Sequence, residues 1–170
     1  STAQERISGY RKAFEKHGVP FCESLICRGD YTIQGGVRGL ETLVKNNPDM
    51  TAVFVTNYEM TMGAVIGLNE LGIQVPDQLS VIGFDNLQFA RACSPKLTIV
   101  SQPTVEIARE AAGLMLKRLE GGGDTGAYVT EKLNTEIIAG RSVRCVAGQE
   151  PGTPDGESRR DPSDTDEWSI

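Results

Sequence analysis

Four cysteines and a single histidine are the most reactive side chains in this sequence. Cys22, Cys27, Cys93 and Cys145 lack the close paired spacing of zinc ligands, and His17 alone cannot complete a Cys/His cluster. A nucleophilic Cys–His pair would need the fold to assemble it, with no local support in the chain. The cysteines therefore read as small buried hydrophobes in a reducing cytoplasm. His17 beside Gly18 reads as a helix end, where a partial positive charge suits the dipole. The run Gly35-Gly36-Val37-Arg38-Gly39 has too few correctly spaced glycines for a dinucleotide fingerprint. Catalytic residues, metal and cofactor are all expected to be absent. The chemistry to look for is binding.

The elements that must position a binding site follow from the periodicity. Helices are predicted over 6–18, 33–46, 58–71 and 103–119, and strands over 22–27, 52–55, 79–84, 98–101 and 128–138. Gly18 and Gly72 stop the first and third helices, Asn57 sits where an N-cap belongs, and Pro103 suits a first helical turn. Strands alternating with helices mean βαβ units, so the fold class is α/β, a doubly wound, mostly parallel sheet. In such sheets ligands sit beyond the carboxyl ends of the strands. The residues to question are therefore Gly29-Asp30-Tyr31, Thr56-Asn57-Tyr58, Asp85-Asn86 and Gln102.

The chain has 170 residues, 39% of them hydrophobic, enough for one domain or two small lobes. No apolar run approaches the length of a membrane span, and no secretory signal is visible. Position 1 is Ser, so the natural start is expected to lie upstream. The formal net charge is −6. With a pI near 4.9, the chain is not expected to grip nucleic acid phosphates by itself. Most of the charge lies in 148–170, where seven acids face Arg159 and Arg160 among three prolines. Such a segment cannot bury enough surface to offset its ordering entropy, and it is expected to be a disordered acidic tail. The folded part is expected to end near residue 147.

Several stretches resemble one family. They are Arg6-Ile7-Ser8-Gly9-Tyr10, Gly29-Asp30-Tyr31, Pro48 to Phe54, Asn57 to Gly63, Val75 to Asn86, Pro95 to Thr98, Gln102-Pro103 and Gly140-Arg141-Ser142. In this order and spacing they resemble the regulatory region of the lactose-repressor/galactose-repressor (LacI/GalR) transcription factors. The resemblance implies a body like periplasmic sugar-binding proteins, with two lobes and an effector crevice between them. It also implies a DNA-binding headpiece that this sequence does not contain. The opening units of the first lobe and the strand before the Arg6 helix are likewise expected to be missing. Residues 1–147 then form a partial effector-binding and dimerisation domain, with 98–120 belonging to the other lobe.

The same resemblance assigns roles that each have a plainer alternative. Arg6 matches an arginine that fans donors into the crevice; alternatively it is a solvated helix-start residue. Tyr31 matches an aromatic that stacks on the effector, or is a turn tyrosine covering the core. Asn57 matches an effector contact and also fits an N-cap, and both can hold together. Asp85 would accept hydroxyl hydrogen bonds from a sugar, or form a turn at its strand end. Gln102 matches a crevice residue of the second lobe. Tyr58 departs from the acid that many members place beside the Asn.

In helix 58–71, Met60, Met62, Ile66 and Leu68 give more than one apolar face. One must pack on the sheet, and a second implies either a partner helix or complete burial. The expected dimer interface is Met60, Met62, Ile66, Phe89 and Cys93. The function implied is that of a cytoplasmic repressor's sensor, binding a small sugar-like effector as a homodimer. It would touch operator DNA only through the headpiece and would not meet a membrane. A sugar-binding protein of a transport system shares the fold and is the alternative. An empty first-strand position is also expected to leave open sheet edges that favour association between chains.

Overall fold

In the computed structural model, residues 2–120 and 130–145 are described. The expected acidic tail lies outside them, as do residues 128 and 129 of the last predicted strand. Five helices and four strands are present among the described residues. Helix α1 spans Thr2–Lys16, α2 Ile33–Asn46, α3 Tyr58–Glu70, α4 Leu87–Ala92 and α5 Thr104–Leu119. Strand β1 is Ala52–Phe54, β2 Ser80–Phe84, β3 Thr98–Ser101 and β4 Glu136–Ile138.

The strands form one sheet in the order β1-β2-β3-β4. The first two pairings are parallel, with Val53 opposite Val81 and Gly83 opposite Ile99. Strand β4 runs antiparallel to β3, with Ile137 opposite Val100. A parallel pair needs a crossover, and α3 and α4 supply them between β1, β2 and β3. Val81 and Ile99 are fully buried at the centre, with Leu40, Ala64, Leu68 and Leu97 around them. At the amino ends of β2 and β3 the buried Ser142 acts as a staple. Its hydroxyl accepts from the Thr98 N–H at 2.8 Å and donates to the Val81 carbonyl at 2.5 Å.

Local signals for the helix ends are realised. The Asn57 side chain accepts from the Met60 N–H at 3.0 Å and starts α3. Past the end of α1, Gly18 takes φ 64°, and the Val19 N–H reaches back to the Phe14 carbonyl at 3.0 Å. Three elements differ from expectation. Residues 22–27 form no strand: Glu23–Leu25 is a 3-10 turn, and the chain beyond it is extended but unpaired. A strand needs a neighbour, and a cavity separates this segment from the open edge of β1. The last strand is shorter than expected, confined to Glu136–Ile138. Helix α4 was not expected, because six residues are too few for a clear 3.6-residue period.

The second apolar face of α3 has a partner within the same chain. Helix α2 packs against it so closely that a Cβ on Gly63 would lie 2.0 Å from the Ile33 carbonyl oxygen. A Cβ on Gly36 would lie 2.4 Å from the Met60 carbonyl oxygen. Glycine at both positions is what lets the two backbones meet. Among the described residues, no helix is long and apolar enough to cross a membrane.

Candidate functional site

The carboxyl ends of β1, β2 and β3 lie side by side, and the sequence-predicted residues gather there in two groups. Arg6, Tyr31 and Asn57 line one cavity of about 290 Å³, together with Thr56, Gly29 and Met60. Asp85 and Gln102 lie outside that lining and are bonded to each other. The Gln102 side-chain amide donates to the Asp85 carboxylate at 2.7 Å, and its backbone N–H donates to the other oxygen at 3.3 Å. The ends of β2 and β3 are thereby tied together. A carboxylate has about four acceptor sites, so this pair leaves Asp85 with capacity for ligand hydroxyls.

Arg6 links the two groups. One of its guanidinium nitrogens donates to the Thr56 carbonyl. The guanidinium carbon lies 3.9 Å from the centre of the Phe84 ring, the residue just before Asp85. Held at both places, it still has N–H donors available. The stacking on Phe84 was not foreseen. A strand-end aromatic adjacent to a predicted ligand contact was the signal that could have shown it.

Tyr31 is presented by a braced turn. The Asp30 carboxylate accepts from the Thr32 hydroxyl at 2.7 Å and from the Thr32 N–H at 3.1 Å. Its other oxygen takes an ion pair from Arg38 at 2.8 Å. Thr32 in turn caps α2 by accepting from the Gly35 N–H at 2.9 Å. The Thr32 hydrogen bonds, more than the charge of Arg38, hold the Asp30 carboxyl below its ordinary pKa. Tyr31 itself stands 56% exposed, so the aromatic face is open rather than folded onto the core.

Among the described residues, the non-glycine positions with positive φ are Tyr31 at 62°, Asp85 at 58° and Asn86 at 48°. Each costs of order 1–3 kcal/mol and is tolerated only where surroundings over-determine it. Two of the three are predicted site residues. Asn86 is the third, and its side chain caps α4 by accepting from the Phe89 N–H at 2.9 Å. Backbone strain thus marks the same edge that the strand ends do.

The predicted interface residues do not share one face. Met60 turns towards Gly29 and the cavity, about 200° around the helix from Met62, and this corrects its grouping with the others. Ile66 is 41% exposed and Met62 partly so. Phe89 and Cys93 pack partly against the core.

A family profile described as "Periplasmic binding protein-like domain" matches residues 1–143. The HTH-type transcriptional regulator AscG of Escherichia coli (strain K12) is 37% identical over 121 residues, covering 71% of this chain and 36% of that protein. A solved complex of the transcriptional regulator CelR with cellobiose superposes with a TM-score of 0.71 at 33% identity, covering 81% of this chain and 42% of the other. A LacI family transcriptional regulator from Enterococcus faecium, solved with bound ribose, gives a TM-score of 0.72 at 28% identity, covering 81% and 50%. This chain therefore spans about a third to a half of the length of these proteins.

Proposed function

The chain belongs to the periplasmic binding protein-like domain family, with LacI-type regulators among its matched relatives, and on that premise we propose that it senses a small sugar-like effector for such a regulator. The carrying observation is the convergence of Arg6, Tyr31 and Asn57 on one cavity beside the Asp85–Gln102 pair. That set offers fixed donors, an open aromatic face and a carboxylate acceptor, the combination a polyol or sugar needs. The cellobiose and ribose bound by two structural relatives belong to the same chemical class. The relatives named above are regulators rather than enzymes, and this edge assigns no residue a catalytic role.

The mechanism is linkage. An effector that prefers one orientation of two lobes shifts the population towards it, and operator affinity changes by the same coupling free energy. Strand β3 belongs to this sheet, so in this reading only α5 of the segment 98–120 packs on the other lobe, DNA is bound by a headpiece outside this sequence, and the protein works in the cytoplasm as a homodimer through Met62, Ile66, Phe89 and Cys93. A transport protein of the same fold would present similar strand-end geometry, but regulators are what the named relatives are.

Calorimetric titration of a panel of sugars against a regulator-length form containing this chain tests the reading. Asp85→Ala should weaken effector binding about tenfold to a hundredfold, since a buried polar group left unpaired costs about 1–3 kcal/mol. Tyr31→Ala should also weaken it, and Glu41→Ala should not. Unchanged affinity in Asp85→Ala would remove the site assignment.

A further inference from the structure

Three hydrogen bonds join Asp85 to β3 and its continuation. The Asp85 backbone N–H donates to the Val100 carbonyl at 2.8 Å. One carboxylate oxygen accepts from the Gln102 backbone N–H at 3.3 Å, and the other accepts from the Gln102 side-chain amide at 2.7 Å. Asp85 also holds a left-handed backbone, φ 58°, which a non-glycine residue keeps only where its surroundings over-determine it. Both oxygens are engaged by one residue, so the carboxylate cannot turn without disturbing Gln102.

Gln102 is also where α5 hangs from the sheet. Its carbonyl accepts from the Thr104 N–H at 2.9 Å, and the Pro103 carbonyl accepts from the Ile107 N–H at 2.9 Å. Pro103, at the N-cap position, makes no side-chain capping bond. Asp85 and Gln102 are half-buried, whereas the chain is exposed from Thr104 onward through the first turns of α5. No residue of α5 is buried against the described residues. The first turn of this helix is thus anchored through Gln102 and Pro103, and Asp85 holds the first of the two.

We propose, resting on the reading that a sugar-like effector binds at this edge, that Gln102 is a positioning residue that couples occupancy of Asp85 to the start of α5. A carboxylate has about four acceptor sites; Gln102 takes two, and a ligand hydroxyl takes one of the others. Ligand and Gln102 then fix the orientation of one carboxylate together, so each is held more firmly when the other is present. A bound ligand tightens Gln102, and through it the Thr104 and Ile107 amides, although it touches neither. The coupling is reciprocal, so loosening Gln102 weakens the ligand by the same factor. A Gln102 that merely contacted the ligand would lose affinity on substitution without altering what saturation does to α5.

Amide hydrogen exchange of the full chain, read residue by residue by nitrogen-15 NMR, tests this with ribose, glucose, galactose and cellobiose as ligands. Gln102→Met removes the side-chain donors at nearly the same length, and Asp85→Asn leaves one carbonyl acceptor in place of two oxygens. Without sugar, each variant should speed exchange at Thr104 and Ile107 about fivefold, the worth of one ordinary hydrogen bond. The double variant should go no further than either single one, because both remove the same contact. Amides of α3 such as Ala64 and Leu68 should keep their rates, which a general loss of structure would not allow. A sugar that binds the parent by calorimetry should slow Thr104 and Ile107 about fivefold at saturation. The same sugar should bind Gln102→Met about fivefold more weakly and, once saturating, leave both amides unchanged. Unchanged rates in the single variants, additive effects in the double one, or equal slowing of α5 in parent and Gln102→Met would overturn the coupling and leave the effector site standing. No binding heat from any of the four sugars in the parent would instead overturn the effector reading, and the coupling with it.

Discussion

Helices α2 and α3 meet the sheet and each other with buried residues along both, whereas α1 and α5 have no buried residue at all. Both pairs are regular helices of 13 to 16 residues, so helix formation is not what separates them. The difference is what the other described residues provide to cover them. Helix α3 has Thr61, Ala64 and Leu68 buried, and Gly63 and Gly67 against α2. Helix α5 leaves Val105, Met115, Leu116 and Leu119 more than half exposed, and Ile137 on β4 is 69% exposed. Helix α1 finds partial shelter in an aromatic cluster, with Tyr10, Phe14 and Phe21 edge to face at 4.8–6.0 Å. A helix with an apolar stripe and nothing to bury it against gains little from folding. Among the described residues, the α2–α3 block is covered and the two outer helices are not.

The largest expected effect contrasts glycines in the two regions. Gly63→Val would drive a side chain into the Ile33 carbonyl and should cost several kcal/mol, enough to abolish cooperative urea unfolding. Gly113→Ala in α5 meets nothing within 4 Å and should stabilise by about 0.5–1 kcal/mol through helix propensity. Similar losses in both variants would show that α5 is packed as tightly as α3.

A smaller contrast concerns thiol chemistry. The hydrogen bond with the Ser24 hydroxyl, 3.1 Å away, lowers the pKa of the exposed Cys22, whereas burial raises that of Cys93. Since the thiolate is the nucleophile, Cys22 should be alkylated well before Cys93 at neutral pH, and Ser24→Ala should slow Cys22 alone. Mass-resolved iodoacetamide labelling reads both rates. Equal rates would mean that the α4 end opens as readily as the turn after α1.

The smallest effect is electrostatic. Asp30 is held below its ordinary pKa by Thr32 and Arg38, so its contribution is present above the ordinary carboxylate value. It is lost as pH falls through the lowered folded value. The stability difference between the parent and Asp30→Asn should therefore be largest near neutral pH and shrink below about pH 4. Urea midpoints across that range measure it, and a constant difference would mean that the turn holding Tyr31 does not rely on the charge.

What the sequence determined by itself is local. Asn57, Gly18 and Gly72 act on backbone groups within a few residues, so their roles were legible without a fold. The strands within 79–84 and 52–55 were legible because continuous apolar runs of that length leave few options, although β1 is an edge strand with only Val53 buried within it. The family motifs implied Arg6, Tyr31, Asn57, Asp85 and Gln102 as crevice residues; in the structure the first three line one cavity, and Asp85 and Gln102 are bonded to each other outside that lining. Tertiary structure alone decided the rest. Residues 22–27 have strand-like composition but no paired neighbour, and pairing is a contact between distant segments that no local pattern contains. The second face of α3 belongs to α2 because Gly36 and Gly63 let two backbones touch across 27 residues of sequence. Arg6 on Phe84 and Asp85 with Gln102 are also long-range pairs, chosen by which strand ends the sheet order brings side by side. Propensity and capping act through neighbours in the chain, whereas partners are selected by packing, where removing apolar surface from water outweighs local preference.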